Sequence, residues 1–159
     1  MKYFVSCKIN AAFPKQDAKL IAYLQDHGNI GTLIRTALAF SYTQIIFSDS
    51  TVDLYNDKLI RASQGAIFRA NVIQTNLKDV ITDLQKNGVK VVGTALYNSV
   101  DINQCEKTKK MAIVLGNEGN GMSKEIMAMT DQNVIIPISD IESLNVGVAG
   151  GIAMFYFQA

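Results

Sequence analysis

The 159-residue chain is 48% hydrophobic and 18% charged, with two prolines and no repeated or low-complexity stretch. That profile fits one folded domain over residues 1–159, long enough to bury a core without disulfides or a structural metal. A formal net charge of +1 excludes a strong overall field as the basis for nucleic-acid binding, which would have to rely on local patches. Cys7 and Cys105 lie far apart with no second thiol or histidine beside either, so no metal is expected, and both read as reduced thiols of a cytoplasmic protein.

The opening MKYFVSCKIN lacks the apolar core and cleavage site of a secretory signal. YFVSCKI could form an extra strand and NAAFPKQDA a connecting loop, which makes residues 1–18 an N-terminal extension. Short apolar runs rich in β-branched residues predict strands at 19–26, 44–48, 89–96, 111–115 and 133–138. Between them, helical spacing recurs: Ile30, Leu33, Ile34, Ala37 and Leu38 after Asn29, and Leu77, Val80, Ile81 and Leu84 after Asn76, stopped by Gly88. Such alternation implies an α/β fold, a mostly parallel sheet joined by right-handed crossovers with helices on both faces. The most apolar run, 146–157, is shorter than the roughly 20 residues that span a bilayer, so no membrane is expected.

Ligands of an open parallel sheet bind beyond the carboxyl ends of its strands. Three loops there are unusual: TALYNS, GNEGNGMS and ISDIESLN. In GNEGNG, Gly116 to Gly121, the glycines permit positive φ and expose amides, which suits a loop around a nucleotide-like ligand and equally a plain turn capped by Ser123. The Lys-Ser/Thr pair of a Walker loop is missing, and a dinucleotide fingerprint belongs in a first strand-to-helix turn. Glu118 suits the positive end of a helix dipole. Arg35 has Gly31 and Ala39 one turn away on its own face, leaving a trough beside the guanidinium where a surface charge or a ligand contact would both fit. Beyond Asn145 the last segment is apolar all round, which predicts enclosure on every side. Gly147, Gly150 and Gly151 each cost roughly 1 kcal/mol against alanine in a helix, so they predict close backbone packing against chain segments or a second subunit.

In order, DHGNIGTLIRTA, IVLGNEGNGMS and IPISDIESLNVGVAGGIAMF resemble the motifs of the SpoU (TrmH-like) family of RNA 2'-O-ribose methyltransferases, within the SPOUT superfamily. KLIRASQGAIF, 58–68, looks like that family's linking segment. The resemblance implies a C-terminal deep trefoil knot, a homodimer through the knot region, S-adenosylmethionine as cofactor with S-adenosylhomocysteine as product, no metal, and a tRNA or rRNA substrate. Position by position it implies Arg35, Asn29, Glu118, Ser143 and Asn145 as catalytic residues, with Glu118 pairing Asn29 or Arg35. Thr94, Leu96, Gly116, Asn117, Gly121, Ile136, Ile138, Ser143 and Leu144 match cofactor-binding positions, while Arg35, Lys58, Arg61 and Arg69 are the candidates for RNA. His27 replaces the usual proline after Asp26 and reads as a loop residue. Ser41 stands where glycine is common, and the N-terminal RNA-binding domain of many relatives is not expected here. Rival readings are a knotted binding module without turnover and an oxidoreductase using GNEGNG as its phosphate loop.

Overall fold

The computed structural model describes residues 17–22, 24, 26–42 and 44–158. Cys7 and the expected strand YFVSCKI lie outside them. Among the described residues, seven parallel strands form one sheet: β1 (Asp17–Ala22), β2 (Gln44–Ser48), β3 (Val72–Thr75), β4 (Lys90–Thr94), β5 (Val100–Asp101), β6 (Lys110–Leu115) and β7 (Gln132–Ile135). Their spatial order is β3-β2-β1-β6-β4-β7-β5, and every pairing is parallel. Helices α1 (His27–Ala39), α2 (Asp57–Ala62), α3 (Leu77–Lys86), α4 (Lys124–Met129) and α5 (Val146–Phe157) connect or follow them.

Alternation along the central strands divides the core between two faces. Ile45, Phe47, Val92, Ile113 and Leu115 join a cluster with Ile30, Leu33 and Ile34 of α1, Leu59 of α2 and Ala153 and Met154 of α5. Ile46, Val91, Ala112 and Val114 face the other way, against Leu77, Ile81 and Leu84 of α3 with Ile126 and Met127 of α4 packed alongside. The expected two-faced α/β layering is what forms. Tyr42, 3% exposed, reaches across the first cluster to donate to the Met154 carbonyl at 3.2 Å, and burial pushes its hydroxyl well above the ordinary phenol range.

Differences from the sequence expectation have local causes. β1 starts at Asp17, inside the stretch expected as loop, and ends at Ala22, and Asp26 caps α1. Asn29, expected to open that helix, is its third residue, and His27, expected in a loop, is its first. N1 is the position where a proline is pre-organised, so the histidine forfeits that rigidity without altering the start. β7 ends before Pro137, which has no N–H to pair. β3 and the two-residue β5 are edge strands with half-exposed residues and gave no continuous apolar run. Ser41 has φ 60, so the turn there does favour glycine.

Two glycines permit close helix crossings. A Cβ at Gly31 would lie 2.6 Å from the Ala62 carbonyl carbon and Cβ, so α2 occupies the trough expected beside Arg35. A Cβ at Gly150 would collide with Leu33 of α1 and Leu115 of β6. Gly151, by contrast, has only Thr36 Cγ2 at 3.7 Å. Nor is α5 enclosed on every side, because Val148, Ile152 and Phe155 are 52%, 39% and 63% exposed.

Candidate active site

From β1 the chain crosses through α1 over one face towards β2, while from β6 it crosses through α4 over the other face towards β7. Loops leaving β1 and β6 therefore splay apart at their adjacent carboxyl ends, which is the switch point where such sheets leave a crevice. Asp26 and Asn29 arrive there from β1, and Glu118 arrives from β6. Glu118 Oε1 accepts from the Asp26 backbone N–H at 3.0 Å and from Asn29 Nδ2 at 3.5 Å. Asn145 Nδ2 donates to Asn29 Oδ1 at 3.0 Å.

The orientation of both amides in this relay follows from its ends. Asn145 caps α5, its Oδ1 accepting from the N–H groups of Gly147 at 2.9 Å and Val148 at 3.3 Å. Its amide nitrogen is then the only group left to face Asn29, which must offer oxygen there and nitrogen to Glu118. One line of hydrogen bonds thus fastens the starts of α1 and α5 to the glycine-rich loop, three segments distant in sequence. Asp26 was not among the expected site residues. Its signal was present as an N-cap acid three positions before Asn29, whose N–H it accepts at 2.8 Å.

Beside the relay, the three strand-end loops surround a cavity of about 410 Å³, within the roughly 300–1,000 Å³ of small-molecule sites. All nine expected cofactor-binding residues line it: Thr94, Leu96, Gly116, Asn117, Gly121, Ile136, Ile138, Ser143 and Leu144. The expected cofactor positions did not include the rest of its wall, Tyr97, Met122 and Ala149 among them. Tyr97 was legible as an aromatic in TALYNS, and Met122 lies within GNEGNGMS, a loop that stood out for its glycines rather than for a methionine.

The glycine loop does not present a nest of free amides. Asn117 and Gly121 exchange both backbone hydrogen bonds at 2.9 Å, and Asn117 Oδ1 accepts from Gly119 N–H at 2.9 Å and Asn120 N–H at 3.4 Å. A Cβ at Gly116 would strike the Gly121–Met122 backbone, so the loop folds back on itself at that glycine. Four of its N–H groups are satisfied internally, which leaves carbonyl oxygens as its principal offering. Among the described residues lining the cavity there is no lysine or arginine, and the one charged side chain is Glu118. Such a wall favours a ligand carrying donors or positive charge and disfavours a pyrophosphate. That removes the basis for the dinucleotide reading of GNEGNG.

Arg35 stands apart from this relay. It is exposed, six residues beyond Asn29 on α1, hence about 9 Å along the axis. It shares a face with Gly31 and so emerges beside α2; among the described residues it forms no ion pair or side-chain hydrogen bond. Lys58 and Arg61 are exposed on α2, and Arg69 is exposed after a 3-10 turn at Ala66–Phe68. No group of three or more potential metal ligands occurs among the described residues. Cys105 is buried, with its thiol 3.2 Å from Gln132 Oε1, and burial pushes its pKa up, away from thiolate chemistry.

A cavity enclosed by the strand-end loops of a parallel α/β sheet, beside an asparagine–carboxylate relay, defines a small-molecule binding site at the sheet's switch point. The family described as SpoU rRNA Methylase matches residues 20–155, and the chain belongs to it. A 23S rRNA (guanosine(2553)-2'-O)-methyltransferase, RlmP, of Bacillus subtilis (strain 168) is 38% identical over 140 residues, 87% of this chain and 56% of that protein. The crystal structure of an AdoMet-bound rRNA methyltransferase from Sinorhizobium meliloti matches with a TM-score of 0.85 at 32% identity, over 90% of this chain and 56% of that one. The A. aeolicus TrmH/SpoU tRNA modifying enzyme matches with a TM-score of 0.79 at 25% identity, over 91% and 75%. The chain thus spans little more than half the length of the Bacillus relative.

Proposed function

We propose that this chain carries out S-adenosylmethionine-dependent methylation of a ribose 2'-hydroxyl in structured RNA, tRNA or rRNA. The observation that carries the reading is the cavity itself: carbonyl-rich loops, apolar walls and, among the described residues lining it, one carboxylate and no cation, next to a relay built from the family's motif residues. The relatives support it, since the Bacillus protein is named for 2'-O-methylation and the Sinorhizobium structure contains AdoMet. S-adenosylmethionine would supply a methyl group on a positively charged sulfonium and leave as S-adenosylhomocysteine, with no metal.

The chain's own residues have separable tasks. Thr94, Leu96, Gly116, Asn117, Gly121, Ile136, Ile138, Ser143 and Leu144 enclose the cofactor. Asn29, Glu118 and Asn145 hold the three segments in register, so that attacking oxygen and methyl group meet in line, where most of the rate gain is positioning. Arg35 touches the substrate side. A guanidinium holds its proton too firmly to act as a simple base, so Arg35 orients the ribose and compensates charge beside an RNA phosphate, whose oxygen takes the 2'-hydroxyl proton as the oxygen–carbon bond forms and the sulfur–carbon bond breaks. Lys58, Arg61 and Arg69 supply further phosphate contacts.

The same reading includes a deep trefoil knot, supported by the way β6 inserts between β1 and β4, β7 between β4 and β5, and α5 then returns against α1 and β6. It includes a homodimer on the uncovered α5 face of Val148, Ile152 and Phe155, an apolar stripe at helical spacing that a monomer would leave in water. No helix among the described residues is long and apolar enough to cross a membrane, and an enzyme acting on tRNA or rRNA would work in the cytoplasm.

Methyl transfer from labelled S-adenosylmethionine to total RNA tests the activity. Arg35→Ala is expected to lower it by roughly a hundredfold or more, and equal labelling by both proteins would remove Arg35 from the chemistry. Thermal stabilisation by S-adenosylhomocysteine but not by nicotinamide cofactors is expected, since only a ligand of the native state raises its stability.

A further inference from the structure

Two aromatic rings unrelated to the cavity are left in solvent on the α2 segment. Tyr55, just before α2, and Phe68, at the end of the 3-10 turn, are each 66% exposed. Neither belongs to the core clusters, although Leu54, Leu59 and Ile67 from the same stretch do. Large rings held out of the core by a segment that buries its other apolar residues suggest a contact surface.

The backbone beneath both rings is fixed. Tyr55 N–H donates to Asp53 Oδ1 at 3.0 Å, and Asn56 Oδ1 caps α2 by accepting from Lys58 N–H at 2.9 Å. Gln64 and Gly65 turn the chain with φ of 51 and 75, after which Phe68 N–H donates to the Gly65 carbonyl at 3.1 Å. Lys58 and Arg61 lie between the two rings in sequence and Arg69 follows the second; all three are exposed, and among the described residues none of them pairs with a carboxylate. Asp53 and Asp57 lie on the same segment, so its electrostatic excess is small and charge alone would hold a polyanion weakly.

Position links this surface to the chemistry. α2 packs on α1 where Gly31 meets Ala62 and Ser63, one helical turn from Arg35 on the same face. We propose that Tyr55 and Phe68, with Lys58, Arg61 and Arg69, form a stacking platform for unpaired bases of the RNA flanking the methylated nucleotide. The proposal rests on the RNA methyltransferase reading and narrows its substrate: the modified ribose lies in a single-stranded loop or bulge. Bases inside a duplex are already stacked on one another, whereas splayed bases offer faces to aromatic side chains and phosphates to the intervening cations.

Anisotropy titration with labelled oligouridine, and with an RNA duplex of equal length, tests this on the unsubstituted chain and on Tyr55→Ala, Phe68→Ala, Tyr55→Phe and Lys58→Ala. Each ring truncation is expected to weaken oligouridine binding roughly tenfold, Tyr55→Phe to retain it, and duplex binding to change little. Ring variants should also keep the salt dependence of binding, whereas Lys58→Ala should lower its slope by about 0.7 per lost phosphate contact. Full oligouridine affinity in both alanine variants would overturn the platform, and so would an equal loss on duplex. A change of oligomeric state in Tyr55→Ala or Phe68→Ala would overturn it as well, assigning the rings to a subunit contact. Methyl transfer by the unsubstituted chain, measured in parallel, separates the two readings: persistent transfer with unaffected ring variants defeats only the platform, and no transfer with no RNA binding defeats both.

Discussion

Helices α3 and α5 begin alike and end up in different roles. Each is capped by an asparagine whose Oδ1 accepts two backbone N–H groups, Asn76 from Lys78 at 3.0 Å and Asp79 at 3.5 Å, Asn145 from Gly147 at 2.9 Å and Val148 at 3.3 Å. Beyond the cap, α3 buries Leu77, Ile81 and Leu84 and turns its charged residues outward, so its sequence alone dictates one face for the sheet. α5 has no polar face to settle its rotation, and its orientation is fixed by where glycine lets it approach α1 and β6. Side-chain polarity aims the first helix, and missing side chains aim the second.

Gly150 and Gly151, adjacent in α5, break that comparison most sharply. Alanine at either position gains intrinsic helix propensity. At Gly150 the added methyl meets Leu33 and Leu115, both buried, so Gly150→Ala is expected to destabilise by roughly 1–3 kcal/mol in urea unfolding. At Gly151 the nearest atom leaves ordinary contact distance, so Gly151→Ala is expected to stabilise, by up to about 1 kcal/mol. The same sign for both would mean that close crossing does not set the position of α5.

The paired caps sharpen the contrast next. Asn76→Ala and Asn145→Ala each remove one N-cap, at a cost of about 1 kcal/mol in stability. Only Asn145 also holds Asn29, and through it Glu118, so only Asn145→Ala is expected to reduce methyl transfer well beyond its loss of stability. Asn145→Asp tests the relay separately: it keeps a capping oxygen but cannot donate to Asn29 Oδ1. Its stability should stay near that of the unsubstituted chain while transfer falls. Equal activity in all three variants would reduce Asn145 to a cap.

These two helices also mark what sequence could convey. The periodicity of α3, its cap at Asn76 and its stop at Gly88, φ 74, were legible because every signal is local. Central strands were legible as apolar runs, and the loops behind them were locatable from the rule for parallel sheets. The cavity residues came from matching positions to a family, and the structure gathers all nine into one wall. What stayed illegible depends on pairs distant in the chain. That α2 fills the space beside Gly31 could not be seen from α1, and it misdirected the expected trough. Enclosure of α5 was inferred from composition, which registers the need for a neighbour without saying whether this chain supplies it. The glycine count could not choose between the two readings the loop left open, an amide cradle and a plain turn, because the contacts that satisfy four of its amides come from Asn117 and Gly121.

The smallest effect belongs to the ion pair that links α3 to α4. Lys78 Nζ lies 2.5 Å from Glu125 Oε1 across the gap to α4, and the two side chains are 48% and 63% exposed. Water and salt screen such a pair, and ordering two long side chains offsets part of the attraction, so exposed pairs contribute about 0–1 kcal/mol. Leu77, Ile81, Ile126 and Met127 already pack in one cluster beneath it. Lys78→Ala is therefore expected to shift stability by no more than about 0.5 kcal/mol at low salt, and by nothing measurable at high salt. Ile81→Ala, a few residues along the same helix, should cost roughly 2–5 kcal/mol regardless of salt. If the lysine variant instead lost stability comparable to Ile81→Ala, α3 would be oriented by charge rather than by its apolar face, and its contrast with α5 would have to be redrawn.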